Sequence, residues 1–376
     1  MTVTQIVVLG VVALAALAAA ELIARAMLHR SGYYVWRRYY RRFMPVDPVV
    51  SPHLASHADF AVNSDGERAP QCPSRPDLFR ILVAGGSAVE CADLGQASTW
   101  SARMQARLNR SDALRRLGAG YVHVGNVGKS GLDARAVREV IQRTPPRALG
   151  AIVLMIGAGN LVRWLENAAP PDATFDPLPL TRIFDESPTQ HFGFTLSTLA
   201  LAELRRRVLA RWLQPLDARV CAAQWRVRAR RMRHDAQRFI TEIPDATRFL
   251  DIFEAEAEAA VVAALARADR VLIAQHPRFQ KPEYTEAERA LFWMGGIGNA
   301  YRGDVVTTYF STEVLMALLD RVDERLRAVA HRHGVRFVET QSQLPMSAES
   351  FIDCFHLTTN GAEVVGRVIS DALLEP

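Results

Sequence analysis

The chain has 376 residues, enough for one large domain or two ordinary ones, and its 49% hydrophobic and 23% charged residues exclude a disordered protein. The net charge of +5 is modest and no nucleic-acid motif appears, which argues against a nucleic-acid binder; all but two of the 45 basic residues (Lys129 and Lys281) are arginine, a bias that more often reflects genome composition than a function. Cysteines at 72, 91, 221 and 354 fit no zinc or redox spacing, so neither a metal nor a cofactor is expected.

Ile6 to Ala24 is apolar except for Glu21. That is about the ~20 residues needed to cross a bilayer. No small-residue cleavage site follows a basic n-region, so a retained single-pass membrane anchor over residues 1–28 is expected. Next comes a basic and aromatic belt: Arg25, Arg30, Tyr33, Tyr34, Trp36, Arg37, Arg38, Tyr39, Tyr40, Arg41 and Arg42. Tyr and Trp favour the headgroup layer and Arg binds anionic lipid, so this belt reads as membrane-facing. Residues 43–75 hold Pro45, Pro48, Pro52, Pro70 and Pro73 with little periodicity, and read as a stalk or an irregular lead-in to the domain.

From there the chain alternates. Arg80–Ala84 is an apolar strand running into Gly85-Gly86-Ser87. Trp100–Leu117 has helical spacing and ends in Gly118-Ala119-Gly120. Tyr121–Val124 is a second strand, followed by the loop Gly125-Asn126-Val127-Gly128-Lys129-Ser130-Gly131. Asp133–Arg143 is a helix stopped by Pro145-Pro146, and Ala151–Ile156 is a third strand closing on Gly157-Ala158-Gly159-Asn160. Strand, Gly-rich turn and helix in repetition predict a parallel sheet with helices on both faces.

The middle is less regular. Phe175–Gly193 reads as an extended loop and Leu196–Leu213 as a helix. Arginines 219, 226, 228, 230, 231, 233 and 238 are either a solvated helical face or a contact with lipid headgroups or an anionic polymer. An Ala/Glu-rich helix spans 247–268 and a fourth strand Arg270–Ala274. Phe279–Thr308 reads as a lid-like excursion, with Gly295-Gly296-Ile297-Gly298 as a flexible point. Thr312–His333 is an amphipathic helix, Val335–Val338 a fifth strand, and Asn360 or Gly361 opens the last helix.

Ser87 sits where open α/β sheets place their ligands, at the carboxyl end of a strand. It reads as a nucleophile, a helix cap or a phosphate-loop residue. The late loop Phe351-Ile352-Asp353-Cys354-Phe355-His356 supplies what a nucleophile needs. Asp and His three apart let the carboxylate accept from imidazole Nδ1–H and leave Nε2 to take a hydroxyl proton. His331 and His333, two apart on one helix, are poor metal ligands. His276 reads as structural or as a substrate contact, Lys129 as solvated or as touching an anionic substrate, and Cys354 as buried.

The chain resembles the SGNH, or GDSL-type, hydrolases. Gly85-Gly86-Ser87 matches their first block. Asn126-Val127-Gly128-Lys129-Ser130-Gly131 matches the second, and Asp353, His356, Leu357, Thr358 and Gly361 match the last. The resemblance covers about residues 78–376 and implies a three-layer α/β/α, flavodoxin-like domain over 76–376, after a 29–75 juxtamembrane segment. It implies Ser87 as nucleophile, His356 as general base and Asp353 as its orienter. The implied oxyanion donors are the backbone N–H groups of Ser87 and Gly128 and one Asn side chain. The third family block, Gly-x-Asn-Asp, is altered to Gly157-Ala158-Gly159-Asn160. Read without a gap, Gly159 replaces the Asn; shifted by one, Asn160 is the donor, and that is the favoured reading.

The resemblance thus implies a membrane-anchored esterase of the bacterial inner membrane, acting on O-acyl esters of a carbohydrate or lipid. An O-acyltransferase on an envelope or exported polysaccharide, or a catalytically degenerate scaffold of the same fold, remain alternatives. The arginines after the span place the domain in the cytoplasm, whereas the resemblance leans to the periplasmic side; both stay open.

Overall fold

The computed structural model describes residues 2–29, 32–46, 50–187, 199–212 and 222–375. Arg30, Pro48, Arg219, Cys221, the end of the 175–193 loop and both ends of the 196–213 helix lie outside them.

In chain order the elements are α1 (Val3–His29), β1 (Arg41–Pro45), β2 (His57–Ala61), β3 (Leu78–Gly85), α2 (Ser87–Glu90), α3 (Trp100–Leu108) and α4 (Ser111–Leu117). Then come β4 (Tyr121–Asn126), α5 (Ala134–Arg143), β5 (Leu149–Met155), α6 (Ala158–Glu166), α7 (Leu180–Ile183), α8 (Ala200–Trp212), α9 (Ala222–His234) and β6 (Arg238–Ile240). The chain closes with α10 (Thr247–Leu265), β7 (Ala268–Ala274), α11 (Glu286–Arg289), β8 (Thr308–Phe310), α12 (Thr312–His333), β9 (Arg336–Val338) and α13 (Thr359–Leu374).

Five strands form one sheet in the order β4-β3-β5-β7-β9, every neighbouring pair parallel. They are the five expected from the apolar runs. Counted along the chain the order is 2-1-3-4-5, the flavodoxin-like arrangement, whose ligand crevice opens where the order reverses. Here that point lies between β3 and β5, and Ser87 follows β3 directly. One helical layer joins α13 to α3 and α4; the other joins α10 to α5 and α12, and α12 to α6. Ile81, Val83, Val122, Ala151, Ile152, Val153, Leu154 and Ile273 are fully or almost fully buried, as a sheet covered on both faces requires.

The helix expected over Trp100–Leu117 is two. The break falls at Asn109, whose carboxamide accepts from Val122 N–H (2.9 Å) and donates to Val122 C=O (2.8 Å). Gln105 Oε1 likewise accepts from Val124 N–H at 2.8 Å. β4 is an edge strand, and these two side chains satisfy backbone groups that would otherwise be open to pairing.

The segment over residues 32–75 is more ordered than its prolines suggested. β1 and β2 form an antiparallel pair. Part of the aromatic belt packs on protein: Tyr34 and Val35 are buried, Tyr33 packs edge-on to Phe184, and Arg38 pairs with Glu186 at 3.0 Å, while Arg37 and Arg41 are exposed. Glu67 and Arg80 form a buried ion pair (2.6 Å), with His123 Nε2 also on Glu67 at 3.1 Å. Burial alone would raise the Glu67 carboxyl, but His123 and Arg80 bring it down to about 2.

α1 is long and apolar enough to cross a membrane, with a mean hydropathy of 2.7 and its apolar side chains uncovered. Glu21, which interrupts that run, accepts from the first two N–H groups of α8, Ala200 at 2.8 Å and Leu201 at 2.9 Å. A carboxylate at a helix N-terminus satisfies unpaired donors and complements the dipole.

Candidate active site

β3 ends at Gly85, and Ser87 is the first residue of the one-turn helix α2. Its side chain does not cap that helix; the N-cap position is Gly86 and shows no side-chain bond. The hydroxyl instead meets His356 Nε2, at 2.9 Å, across 269 positions of sequence. His356 Nδ1 lies 2.8 Å from Asp353 Oδ2. Asp353 Oδ1 accepts from the backbone N–H groups of Phe355 (2.9 Å) and His356 (3.0 Å), so the loop folds around its own carboxylate. Burial opposes charge on Asp353, yet His356, Arg226 and the Phe355 N–H hold its carboxyl far below the usual range. Burial alone would lower the His356 imidazole; the Asp353 carboxylate outweighs it and holds the proton affinity above the ordinary value.

The second loop is held by its own contacts. Asn126 Nδ2 donates to Val89 C=O (2.7 Å) and Ser101 Oγ (3.1 Å). Asn126 Oδ1 accepts the Gly128 N–H at 2.8 Å, and Gly128 C=O accepts from Trp36 Nε1 at 3.0 Å. The Gly128 amide, expected to be free for an oxyanion, therefore already has a partner. Ser87 N–H, at the first helical position, has no hydrogen-bond partner among the described residues.

The shifted reading of the third block is overturned. Gly157 turns the chain out of β5 with φ +112°, a conformation suited to glycine, which favours the reading without a gap. Gly159 then stands where the Asn would be. A Cβ there would lie 2.3 Å from Leu132 C=O, so the backbone of the second loop occupies that space. Asn160 falls one residue further along α6. Its Oδ1 accepts from Ala134 N–H (2.8 Å) and its Nδ2 donates to Glu256 (2.9 Å). It lines a cavity of about 200 Å³ with Asp133, Arg163, Phe249 and Glu256; Ser87 and His356 do not line it.

Other residues take structural places. Lys129 Nζ pairs with Asp185 at 2.7 Å and lies over the Trp36 ring. Cys354 is buried and burial pushes its thiol upward, which removes it as a thiolate. His276 is buried, bonded to Pro277 C=O, and burial brings its imidazole down to about 3. His333 pairs with Glu258 at 2.7 Å.

Several residues that shape the site carry no sequence motif. Glu90 Oε2 accepts from both Ser130 N–H and Ser130 Oγ at 2.6 Å, tying α2 to the second loop. Buried Arg68 donates to the carbonyls of Cys91 (2.8 Å) and Leu94 (2.6 Å), and to that of Glu90, holding the chain after α2. Trp293 Nε1 donates to Asp353 Oδ2 at 2.7 Å. Arg226 makes a two-pronged pair with Asp93 (2.8 and 2.9 Å), and both lie close enough to act on His356. Among the described residues Arg226 and Arg233 are buried while 228, 231 and 238 are exposed, so the arginine run is only half a solvated face. The signal was present: 226, 230 and 233 share one side of a helix.

A Ser–His–Asp relay stands at the carboxyl edge of a flavodoxin-like sheet, with Asp and His three apart on the last loop, as the resemblance to the SGNH/GDSL-type hydrolases implied. No family model and no curated protein matches the chain. Among solved structures it is similar to an acetylxylan esterase from Geobacillus stearothermophilus, with 13% identity, 77% of this chain and 92% of that one covered, and a TM-score of 0.40. It is similar to an α/β hydrolase from the metagenome of Lake Arreo (14%, 79% and 97%, 0.40). A third is a member of the lipolytic G-D-S-L family from Veillonella parvula (11%, 79% and 100%, 0.39). At such scores what the site does is read from its own side chains.

Proposed function

We propose that this protein is a membrane-anchored serine esterase acting on O-acyl esters of a carbohydrate or lipid. The reading rests above all on the continuous relay from Ser87 Oγ through His356 to Asp353 (2.9 and 2.8 Å). Ser87 Oγ attacks the acyl carbonyl as its proton passes to His356 Nε2. The imidazolium, stabilised by Asp353, returns that proton to the departing alkoxide. Water then attacks the acyl-serine with His356 as base, releasing the acid. The Ser87 N–H is the oxyanion donor this geometry favours. An oxyanion-hole donor is worth about 10²–10³ in kcat, so a site short of the family's Asn is expected to be slow on simple esters. α1 supplies the anchor.

The degenerate reading makes two demands: an Asn160 directed elsewhere and a Ser87 out of reach of His356. The first holds and the second does not, which favours a working nucleophile. The test is hydrolysis of p-nitrophenyl acetate by the full chain in detergent. Ser87→Ala is expected to abolish turnover, and equal turnover in the variant sinks the assignment.

A further inference from the structure

The excursion between β7 and α12 reaches the catalytic carboxylate. Trp293 Nε1 donates to Asp353 Oδ2 at 2.7 Å, and the indole lies parallel to the His356 ring, centroids 6.5 Å apart at 3°. The Phe355 and His356 N–H donors to Asp353 come from its own loop. Trp293 is held from both sides by α9: Arg230 Nε donates to Leu291 C=O at 3.1 Å and Arg233 Nη1 to Met294 C=O at 2.6 Å. Arg230 also donates to Ile352 C=O at 2.8 Å, joining the excursion to the catalytic loop. Trp225 of α9 packs edge-on to Trp293, centroids 5.0 Å apart. Buried guanidinium groups on backbone carbonyls fix backbone position rather than recruit an outside anion.

We propose that Trp293 is a positioning residue for the acid–base pair, its indole N–H fixing the Asp353 carboxylate and tempering that carboxylate's hold on the His356 proton, with α9 as the clamp that keeps it in place. The proposal rests on the esterase reading of this site. The charged groups facing His356 are Asp353 on its own loop, Asp93 after α2 and Arg226 on α9; Arg230 faces Asp353, and His276 after β7 is neutral. Asp353 and Asp93 favour the imidazolium and Arg226 disfavours it. Removing the indole N–H leaves the carboxylate with one donor fewer, so its field at His356 strengthens and the imidazolium is held to higher pH.

The experiment uses the full chain in detergent micelles with ¹⁵N-histidine, the His356 signals being assigned by their loss in His356→Gln. Trp293→Phe keeps a ring and removes the donor. It is expected to raise the His356 titration midpoint by about half to one pH unit. The acid limb of kcat/KM should move by the same amount, with a loss of about tenfold on the plateau. A folded Trp293→Phe protein with an unmoved His356 midpoint overturns the proposal. In the unmutated chain, ¹⁵N-tryptophan labelling gives a second readout that needs no variant to fold. The Trp293 indole proton should be protected from exchange and titrate with His356; a freely exchanging, non-titrating indole also overturns it. Neither readout requires turnover, so an absent esterase activity with a shifted midpoint removes the esterase reading alone.

Discussion

Two turns at the carboxyl edge of the sheet hold the candidate site residues, and they differ in what holds them. In the 351–357 loop Asp353 and His356 are three residues apart, and the carboxylate is wrapped by its own backbone N–H groups. Local geometry nearly guarantees the pair. After β5, a donor must come from one particular residue of a tight turn, and a slip of one position along a helix rotates a side chain by about 100°. Gly159 stands at that position, and Asn160, one step on, is bonded to Ala134 and Glu256. A contact made within one loop survives changes around it, whereas a contact made by one residue in a fixed register does not.

The comparison predicts unequal effects. The largest belongs to the nucleophile: Ser87→Ala is expected to lower kcat by about 10⁵ or more, the scale seen when a triad member is lost. Asp353→Asn comes next, at about 10⁴, because the wrong imidazole tautomer then faces Ser87. If Asp353→Asn cost less than tenfold in a kinetic assay, the loop would not be holding a catalytic pair.

The pH dependence follows from His356. The base works unprotonated, and its proton affinity is raised, so more of it is imidazolium at any given pH. The acid limb of kcat/KM is therefore expected above the ordinary histidine value of about 6.5, with activity lost as pH falls through it. A limb below that value contradicts the coupling to Asp353. The smallest effect is at the altered turn: Asn160→Ala should change kcat by less than about threefold, since its amide serves Ala134 and Glu256. A loss approaching 10², the scale of an oxyanion donor, would restore Asn160 to the site.

Much of this was legible in the residues. Four of the five sheet strands are apolar runs with a glycine at one end or both, and β7 runs instead into Gln275-His276-Pro277, a pattern set by period and turn chemistry alone. Ser87, Asp353 and His356 each carried a local reason. The register of Asn160 did not, because both registers keep a small residue two before it. Trp293 and Arg68 were illegible for another reason: an indole or guanidinium says nothing about which distant acceptor it will meet. The aromatic belt left its neighbours open on the same ground, since Tyr34 and Trp36 suit a headgroup layer or a protein surface equally well.

Sequence by itself determined the fold class, the apolar first helix and the pairing of Asp353 with His356, since each depends on neighbours within a few residues. Only the tertiary structure decided that Ser87 meets His356, that Asn160 turns to Glu256, and that the 279–308 excursion brings an indole to Asp353. Those contacts span 269, 96 and 60 positions. They form where the packed sheet and its helices leave two groups side by side, and no local pattern encodes that distance.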